Sequence, residues 1–317
     1  MNQLAPISIS TYSRLEHLTR TIDALKINDL AKNSILYIFS DAPKEGDEII
    51  VKKVRDYLKT INGFKEVRII EQETNNYEKN IKDAYSIPLN KFGKMIRMED
   101  DILTSPYFLK YMNESLNFYQ NERSIFAISA YTPSTDLEKC LEEDVFLSKD
   151  FSAWGYATWA DRDFFYARER MNYYDNIILE KDLVKKINKL HPKMIDTLHL
   201  ISQKKANPGD YKLSANLHLN GLFTIKPKLS LVKNIGFDGS GAGKRTTNRF
   251  QTSINETFFP KLTHNLKYNE KCDFIIFDSY FNDFTVKLLL GKFHLKIKIY
   301  LSKPQYNRIK KCVKKFI

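Results

Sequence analysis

Three adjacent carboxylates, Glu99, Asp100 and Asp101, are the residues of this chain whose type and spacing best suit metal chemistry. Glu99 ends the short run KMIRME, and the triplet precedes a helix-like segment that opens at Pro106. Hard divalent cations prefer oxygen ligands, and Mg²⁺ or Mn²⁺ usually binds one or two carboxylates together with substrate phosphates. The triplet therefore predicts a site for a metal ion and a phosphate group. The simpler alternative is a solvated turn, since acids are favoured at the start of a helix.

The three acids cannot all serve one ion. Neighbouring side chains on an extended chain point in opposite directions, so only one or two of them can reach a common metal. We assign Asp101 as the metal ligand, which leaves Glu99 and Asp100 to reach a nucleotide or the adjoining loop.

Arg14 lies in the first turn of a predicted helix, where Ser13 and Glu16 have the spacing of a capping box. Backbone N–H groups at a helix start favour an anion, and a guanidinium adds paired donors for phosphate. Arg14 is therefore a candidate phosphate ligand, and a surface arginine is the alternative.

The segment GFDGSGAGKRT, residues 236–246, is rich in glycine but is not a P-loop. Asp238 stands where that motif needs a glycine, and Arg245 stands where it needs Ser or Thr. A mobile loop that carries Lys244, Arg245 and Arg249 could still close over a diphosphate. A plain flexible loop is the alternative.

The first half of the chain alternates strand-like and helix-like segments. Such alternation predicts an α/β fold with a mostly parallel sheet and helices on both faces. The strand-like segments are APISIST, SILYIFS, EVRIIEQ, KMIRME and SIFAISA.

Polar clusters follow three of these strands, at residues 12–14, 40–41 and 99–101. In an open α/β sheet, ligands bind at the carboxyl ends of the strands. The three clusters therefore predict a single crevice.

The pattern is less regular after residue 131. Asp210 opens a helix-like segment after Pro208 and Gly209, so it is either a helix cap or a general base for an acceptor hydroxyl. Trp154 and Trp159 are either core residues or, for one of them, an apolar wall for a sugar ring. We expect at least one to belong to the core.

The net charge of +12 over 317 residues is concentrated at the C-terminus. Residues 291–317 contain nine Lys or Arg and no acid, with apolar residues at helical spacing between them. This predicts a basic amphipathic helix on an anionic membrane surface; nucleic-acid binding and a solvated terminal helix are the alternatives. No zinc-finger or RNP motif supports nucleic acid. The start of the chain lacks the features of a signal peptide, and its three scattered cysteines suit a reducing compartment, so we expect a cytoplasmic protein.

Six segments over roughly residues 5–250 together resemble the glycosyltransferases of the GT-A fold. The resemblance is strongest to bacterial sugar transferases of surface-polysaccharide clusters, which are distantly similar to the eukaryotic N-acetylglucosaminyltransferase I. The segments are PISISTYSRLEHLTRTIDAL, FSDAP, MIRMEDDILTSPYFLKYM, WGYATWADR, GDYKLSANLHLNGLFTIKP and NIGFDGSGAG.

The resemblance implies roles for the donor-side residues. Arg14 and Asp41 would contact the nucleotide, with Asp41 reading the uracil edge. Glu99 and Asp100 would lie near the nucleotide-sugar. Asp101 would bind Mn²⁺ (or Mg²⁺) held by the diphosphate.

The resemblance also implies roles in the second half of the chain. Asp210 matches the catalytic base of the inverting enzymes, although Gly209 stands where bacterial relatives often have a Trp. The glycine-rich loop, with Lys244 and Arg245, would order over the donor.

The implied function is metal-dependent, inverting transfer of a sugar from a UDP-linked donor to a saccharide or lipid-linked saccharide acceptor. The setting would be bacterial surface polysaccharide or lipopolysaccharide synthesis at the inner face of the plasma membrane. Residues 1–130 would bind the nucleotide-sugar, residues 131–260 the acceptor, and residues 261–317 would form an extension with the basic tail. A nucleotidyltransferase is one alternative, although its usual glycine-rich loop after the first strand is missing. A non-catalytic membrane-surface protein is another.

Overall fold

The computed structural model describes the chain over residues 3–139, 141–162, 181–202, 209–241, 246–248 and 250–281. These residues form ten strands and eight α-helices. The strands are β1 (Ile7–Thr11), β2 (Ile35–Ser40), β3 (Glu66–Glu71), β4 (Lys94–Glu99), β5 (Ile102–Thr104), β6 (Ile125–Ser129), β7 (Val145–Ser148), β8 (Tyr156–Trp159), β9 (Phe223–Pro227) and β10 (Val232–Asn234). The helices are α1 (Leu15–Lys26), α2 (Glu48–Leu58), α3 (Tyr77–Phe92), α4 (Phe108–Phe118), α5 (Lys181–Leu190), α6 (Met194–Ser202), α7 (Gly209–Leu219) and α8 (Glu270–Phe281).

Eight strands form one mixed sheet in the order β3-β2-β1-β4-β8-β6-β9-β7. The block from β3 to β4 is parallel throughout, and β6 is parallel to β9. Strands β8 and β7 run antiparallel to their neighbours. The predicted α/β class with a mostly parallel sheet is confirmed. The short strands β5 and β10 pair antiparallel in a separate sheet, which the sequence did not predict.

Helices lie on both faces of the parallel block. The chain places β2 and β3 on one side of β1 and then returns to place β4 on the other side. Because crossovers between parallel strands are right-handed, α1 and α2 lie on one face and α3 on the other. The alternation within β1 agrees: the Ser8 hydroxyl donates to the carbonyl of Ala84 on α3 at 2.5 Å, so Ile7 and Ile9 face the opposite layer.

Helix α1 begins one residue later than its sequence suggests. Its N-cap is Arg14, which makes no side-chain capping bond, and the Ser13 carbonyl accepts a hydrogen bond from the Leu15 amide at 3.2 Å. The predicted capping box of Ser13 and Glu16 is therefore wrong, because a box needs Ser13 itself at the N-cap. Arg14 is left with its side chain free of any capping role.

Arg55, on α2, ties together the ends of β2 and β3. Its guanidinium donates to the carbonyls of Gln72 at 2.8 Å and Asp41 at 3.4 Å, and to the Ser40 hydroxyl at 3.3 Å. It also pairs with Glu71 at 3.2 Å. A single half-buried side chain thus fixes the edge of the sheet where two parallel strands end.

The described chain divides into two compact units. The first contains the eight-stranded sheet, the β5–β10 pair and α1 to α4, and includes Ser152–Arg162 and Phe223–Asn269. The second contains α5 to α8 and the short segment Lys149–Phe151. This division follows compactness, and it differs from the three functional segments 1–130, 131–260 and 261–317, which stay a prediction about where ligands bind.

The second unit is a helical cluster closed by buried polar contacts. Asp273 on α8 accepts the backbone amide of Lys149 at 2.8 Å, and the Tyr280 hydroxyl donates to Asp150 at 3.0 Å. These bonds explain why residues 149–151 belong with the helices and not with the sheet that precedes them. Burial lowers the pKa of Lys149 to about 8.

The predicted basic tail lies outside the described residues. Within the part of the chain that is described, no helix has the length and apolar composition needed to cross a membrane.

We predict that Arg55→Met lowers the free energy of unfolding by about 2 kcal/mol, because it leaves buried carbonyl groups at two strand ends without a donor. Urea denaturation measures this loss. Arg123→Met is the matched control: Arg123 forms an exposed ion pair with Asp161, and its removal should cost less than about 1 kcal/mol. Equal losses in the two variants would show that the hydrogen bonds of Arg55 to the ends of β2 and β3 do not stabilise the fold more than an exposed ion pair does.

Candidate active site

The candidate site lies between the carboxyl ends of β1 and β4. The strand order reverses at this point, and in an open α/β sheet the crevice at such a reversal is where ligands bind. In the register of the two strands, Ser10 is opposite Glu99. The turn after Glu99 therefore begins level with Thr11, the last residue of β1, and its Asp100 and Asp101 contact Arg14 at the start of α1.

Asp100 and Asp101 are both buried, and a single nitrogen of Arg14 bridges them. Arg14 Nη2 lies 2.5 Å from Asp100 Oδ1 and 2.8 Å from Asp101 Oδ2. Each carboxylate side chain is 8% exposed, whereas that of Arg14 is 21% exposed. The chain turns after β4, so the alternation of an extended strand does not apply, and both acids reach the same group.

Asp100 is fixed by donors on two sides. Its Oδ2 accepts a hydrogen bond from the Thr11 hydroxyl at 2.9 Å, while its Oδ1 is held by Arg14. Its backbone carbonyl accepts the Thr21 hydroxyl, on α1, at 3.0 Å. Asp100 thereby joins β1, α1 and the end of β4 in one hydrogen-bonded unit.

Asp101 has an oxygen to spare. Its Oδ1 is buried and makes no hydrogen bond. Burial raises the pKa of Asp101 above its ordinary value, although Arg14 acts in the opposite direction. A buried carboxylate oxygen without a donor is costly unless a cation or another ligand completes it. This oxygen therefore fits a metal ligand.

The protein offers such a metal few further ligands. Among the described residues, no three His, Cys, Asp or Glu side chains come together in a way that could hold a metal. The residues thus fit an ion of the Mg²⁺ or Mn²⁺ type, which is commonly held by one or two carboxylates and completed by water and substrate phosphate.

The glycine-rich segment lies against this acidic turn. Strand β10 pairs with β5, and the Ile235 amide then donates to the Asp101 carbonyl at 2.9 Å. The Gly236 amide donates to the Asn234 side chain at 2.7 Å. A Cβ on Gly236 would lie 1.9 Å from Asp101 Oδ2 and 2.8 Å from Arg14 Nη1. Only glycine permits this approach of the loop to the acids.

His17 and Asp238 connect α1 to the same loop. His17 Nε2 lies 3.1 Å from Asp238 Oδ2, and Asp238 Oδ1 accepts both the amide and the hydroxyl of Ser240. The hydrogen bonds from Ser240 lower the pKa of Asp238 to about 2. Arg14 and His17 are three residues apart, so one face of α1 contacts the acidic turn and the loop together.

Asp41 follows β2 at the same edge of the sheet, as predicted, but its carboxylate already has protein donors. Asp41 Oδ1 accepts the backbone amides of Ala42 at 2.9 Å and Asn76 at 3.0 Å. Asp41 Oδ2 accepts the Asn75 side chain at 3.4 Å. The residue shapes the loops beside the crevice, and its nucleotide contact stays a prediction.

The other predicted site residues fare differently. Glu99 ends β4, half-buried, one residue before the acidic pair. Asp210 stands in the first turn of α7, in the second compact unit, and its role as a base stays a prediction. Lys244 and Arg245 lie outside the described residues, as does Arg249.

The two tryptophans have different environments. Trp159 is a core residue, as expected for one of them: its indole Nε1 donates to the Leu116 carbonyl at 3.1 Å. Trp154 is half-buried and makes edge-on contacts with Tyr131, Phe237 and Phe250. Because Phe237 follows Gly236, this aromatic cluster anchors the loop beside the acids.

Sequence reasoning missed several members of the site, namely Thr11, Thr21 and His17. The polar His17 three residues after Arg14 was a usable signal, since residues at this spacing share a helix face. Nothing local marked Thr11 or Thr21, whose partners are about 80 or more positions away.

No family model matches the chain, and no curated protein matches it. Solved structures similar to it include GalNAc-T7 with UDP, GalNAc and Mn²⁺, at 13% identity and a TM-score of 0.41, covering 73% of this chain and 43% of that one. Another is the mannosyltransferase PcManGT from Pyrobaculum calidifontis with GDP-Man and Mn²⁺, at 10% identity and 0.36, covering 69% of each chain. A third is S. aureus TarS, at 11% identity and 0.44, covering 93% of this chain and 78% of that one. This chain thus spans less than half the length of GalNAc-T7.

We predict that Gly236→Ala displaces the acidic turn or the loop, because its Cβ would overlap Asp101. The expected cost is about 1–3 kcal/mol of stability, measured by thermal or urea unfolding. Gly241→Ala is the control, since its Cβ would lie 3.5 Å from Arg14 Nη1, at ordinary contact distance. A Gly236→Ala variant as stable as Gly241→Ala would show that the loop does not rest on the acids.

We predict that Asp101→Asn is at least as stable as the wild type at neutral pH. The native state disfavours ionised Asp101, so it takes up a proton at a higher pH than the unfolded chain does. Wild-type stability relative to Asp101→Asn should therefore rise as the pH falls toward about 4. Urea unfolding across this pH range measures the difference.

Asp56→Asn provides the control of opposite sign. Lys52 lowers the pKa of the exposed Asp56, so the contribution of that residue is present at neutral pH and is lost as the pH falls. A marked loss of stability in Asp101→Asn at neutral pH would mean that the ion pair with Arg14 outweighs the burial of Asp101.

Proposed function

We propose that this protein is a metal-dependent glycosyltransferase that moves a sugar from a nucleotide-sugar to a saccharide acceptor. The observation that carries the proposal is the buried pair Asp100 and Asp101 at the switch point between β1 and β4, with Asp101 Oδ1 lacking a partner. The order of sequence segments that resembles the GT-A enzymes supports the same reading. A buried carboxylate favours a metal ion, and the start of a helix favours an anion such as a phosphate. Their proximity therefore suits a metal ion bound together with a diphosphate.

The contacts of each donor-side residue indicate a separate role for it in this proposal. Asp101 would hold the metal through its unpartnered oxygen. Arg14, at the N-cap of α1, would donate to the diphosphate. Asp100, which Thr11 and Thr21 hold in place, would position Arg14 beside Asp101. When bound, Mn²⁺ or Mg²⁺ would supply Lewis-acid assistance to the departure of the nucleoside diphosphate.

The finer assignments form part of the same proposal. The donor is UDP-linked, on the strength of Asp41 and the resemblance. Asp210 removes the proton of the acceptor hydroxyl, which attacks the anomeric carbon from the face opposite the leaving group and inverts it. Lys244 and Arg245 would bind the nucleotide-sugar when the glycine-rich loop orders over the donor.

The basic tail supports a membrane setting, and the resemblance supports the kind of acceptor. The enzyme acts at the inner face of the plasma membrane on a saccharide or lipid-linked saccharide of bacterial surface polysaccharide or lipopolysaccharide. The anionic surface would attract residues 291–317, which carry nine cationic side chains and no acid.

Calorimetric titration of the full chain with UDP, GDP and CDP, with and without Mn²⁺, tests the donor site. We expect one nucleotide, UDP by this proposal, to bind at least tenfold more tightly with Mn²⁺ present. Asp101→Asn should abolish that gain, whereas Asp56→Asn, the same change at an exposed carboxylate, should retain it. Absence of binding by every nucleotide with metal present would overturn the proposal.

The reaction products separate the competing functions. A glycosyltransferase with a UDP-sugar releases UDP and transfers or hydrolyses the sugar. A nucleotidyltransferase instead consumes a nucleoside triphosphate and a sugar phosphate and releases pyrophosphate. A surface-binding protein would bind anionic vesicles and turn over neither substrate.

A further inference from the structure

Asp100 and Asp101 already contact a cationic group of the protein, the guanidinium of Arg14. One nitrogen of Arg14 lies within 2.8 Å of an oxygen from each of two buried carboxylates. Two such carboxylates repel each other strongly in a poorly solvated site unless a positive charge lies between them. Burial disfavours the charge of Arg14, but the two acids outweigh this and raise the pKa of the guanidinium.

The space around the Arg14 guanidinium is restricted. On the loop side, Gly236 lies so close that a single added carbon would meet Asp101 Oδ2 at 1.9 Å and Arg14 Nη1 at 2.8 Å. On the strand side, Thr11 holds the second oxygen of Asp100. A divalent ion that bound Asp101 would therefore be near the guanidinium, and the two cations would repel each other.

We propose that Arg14 is the resident counterion of the acidic pair, and that a divalent metal binds Asp101 only after Arg14 has moved away. The inference rests on the proposed function in one respect: a nucleotide diphosphate supplies the acceptor that draws Arg14 off. Its phosphate oxygens replace the carboxylates as partners of the guanidinium. Metal and nucleotide then load together and neither loads well alone.

Charge and exposure both support this exchange. Arg14 neutralises one of the two negative charges of the pair, whereas a divalent ion neutralises both. If a diphosphate alone drew Arg14 away, the two carboxylates would be left without a cation. A metal alone would have to displace Arg14 without giving the guanidinium a new partner. The Arg14 side chain is more exposed than either acid and makes no capping bond to α1, so it can turn toward the crevice without breaking the helix.

The test measures Mn²⁺ binding directly, by the loss of the electron paramagnetic resonance signal of free Mn²⁺. In the full-length wild type we expect weak Mn²⁺ binding alone and at least tenfold tighter binding with saturating UDP. Arg14→Gln should bind Mn²⁺ alone at least tenfold more tightly than the wild type, and UDP should add little. Arg20→Gln, on the exposed face of the same helix, should behave as the wild type.

Two further variants secure the interpretation. Arg14→Gln with Asp101→Asn should lose the gained Mn²⁺ binding, which would assign the ion to this site. In EDTA, Arg14→Gln should unfold at a lower temperature than the wild type, and Mn²⁺ should reverse this shift. Arg14→Lys keeps a cation near the acids and should retain most of the exclusion of free Mn²⁺, which provides a second measurement if Arg14→Gln folds poorly.

The outcomes distinguish this inference from the proposed function. Equal Mn²⁺ affinity in wild type and Arg14→Gln overturns the counterion role, whether or not UDP binds. The inference is also overturned if the wild type binds UDP tightly without a metal and still binds no metal when UDP is present. Arg14 would then be a permanent replacement for the ion. Tight Mn²⁺ binding by Arg14→Gln, with no nucleotide bound by any variant, supports the counterion role while the donor proposal fails.

Discussion

The first compact unit is organised around one electrostatic constraint, which is that two adjacent buried carboxylates need a cation between them. Arg14 satisfies it from the start of α1, and the strand ends and loops are arranged around the resulting contact. Thr11 and Thr21 hold Asp100 from β1 and α1, and Gly236 brings the loop within contact of Asp101. Buried polar groups without partners are costly. The observed arrangement of these residues is therefore favoured over arrangements that leave more of their polar atoms without a partner.

The same constraint links stability to binding. Burial raises the pKa of Asp101, and its second oxygen has no donor in the protein. Groups that are incompletely satisfied in the folded state are commonly those completed by a ligand. The features that make Asp101 unfavourable for folding are therefore those that suit it to a metal.

The loop and the sheet edge show how secondary structure serves this site. Strand β5 is only three residues long, yet its pairing with β10 sets the path of the glycine-rich segment toward the acids. His17 and Asp238 then join that segment to α1, and the aromatic cluster around Trp154 packs behind it. Three elements that are far apart in the chain thus meet at one turn.

The sequence alone determined the α/β class, the approximate bounds of β1 to β4 and β6, and the candidate acids, because hydrophobic period and strand-end polarity are local signals. Periodicity also predicted the helix after β1, although it misplaced the N-cap by one residue at Ser13. Residues 99–101 were identified as the centre of a site from their type and position after β4.

Tertiary structure alone decided which strands are neighbours, and with that the partner of every site residue. The return of the chain from β3 to β4 places Asp100 beside Thr11, which lies 89 positions earlier, and no local pattern encodes that adjacency. It also brought Arg14, a predicted phosphate ligand, into contact with both acids, because a guanidinium this close to two buried carboxylates binds them in preference to solvent. Long-range pairing of charges depends on the assembled sheet, and only the folded chain brings these groups together.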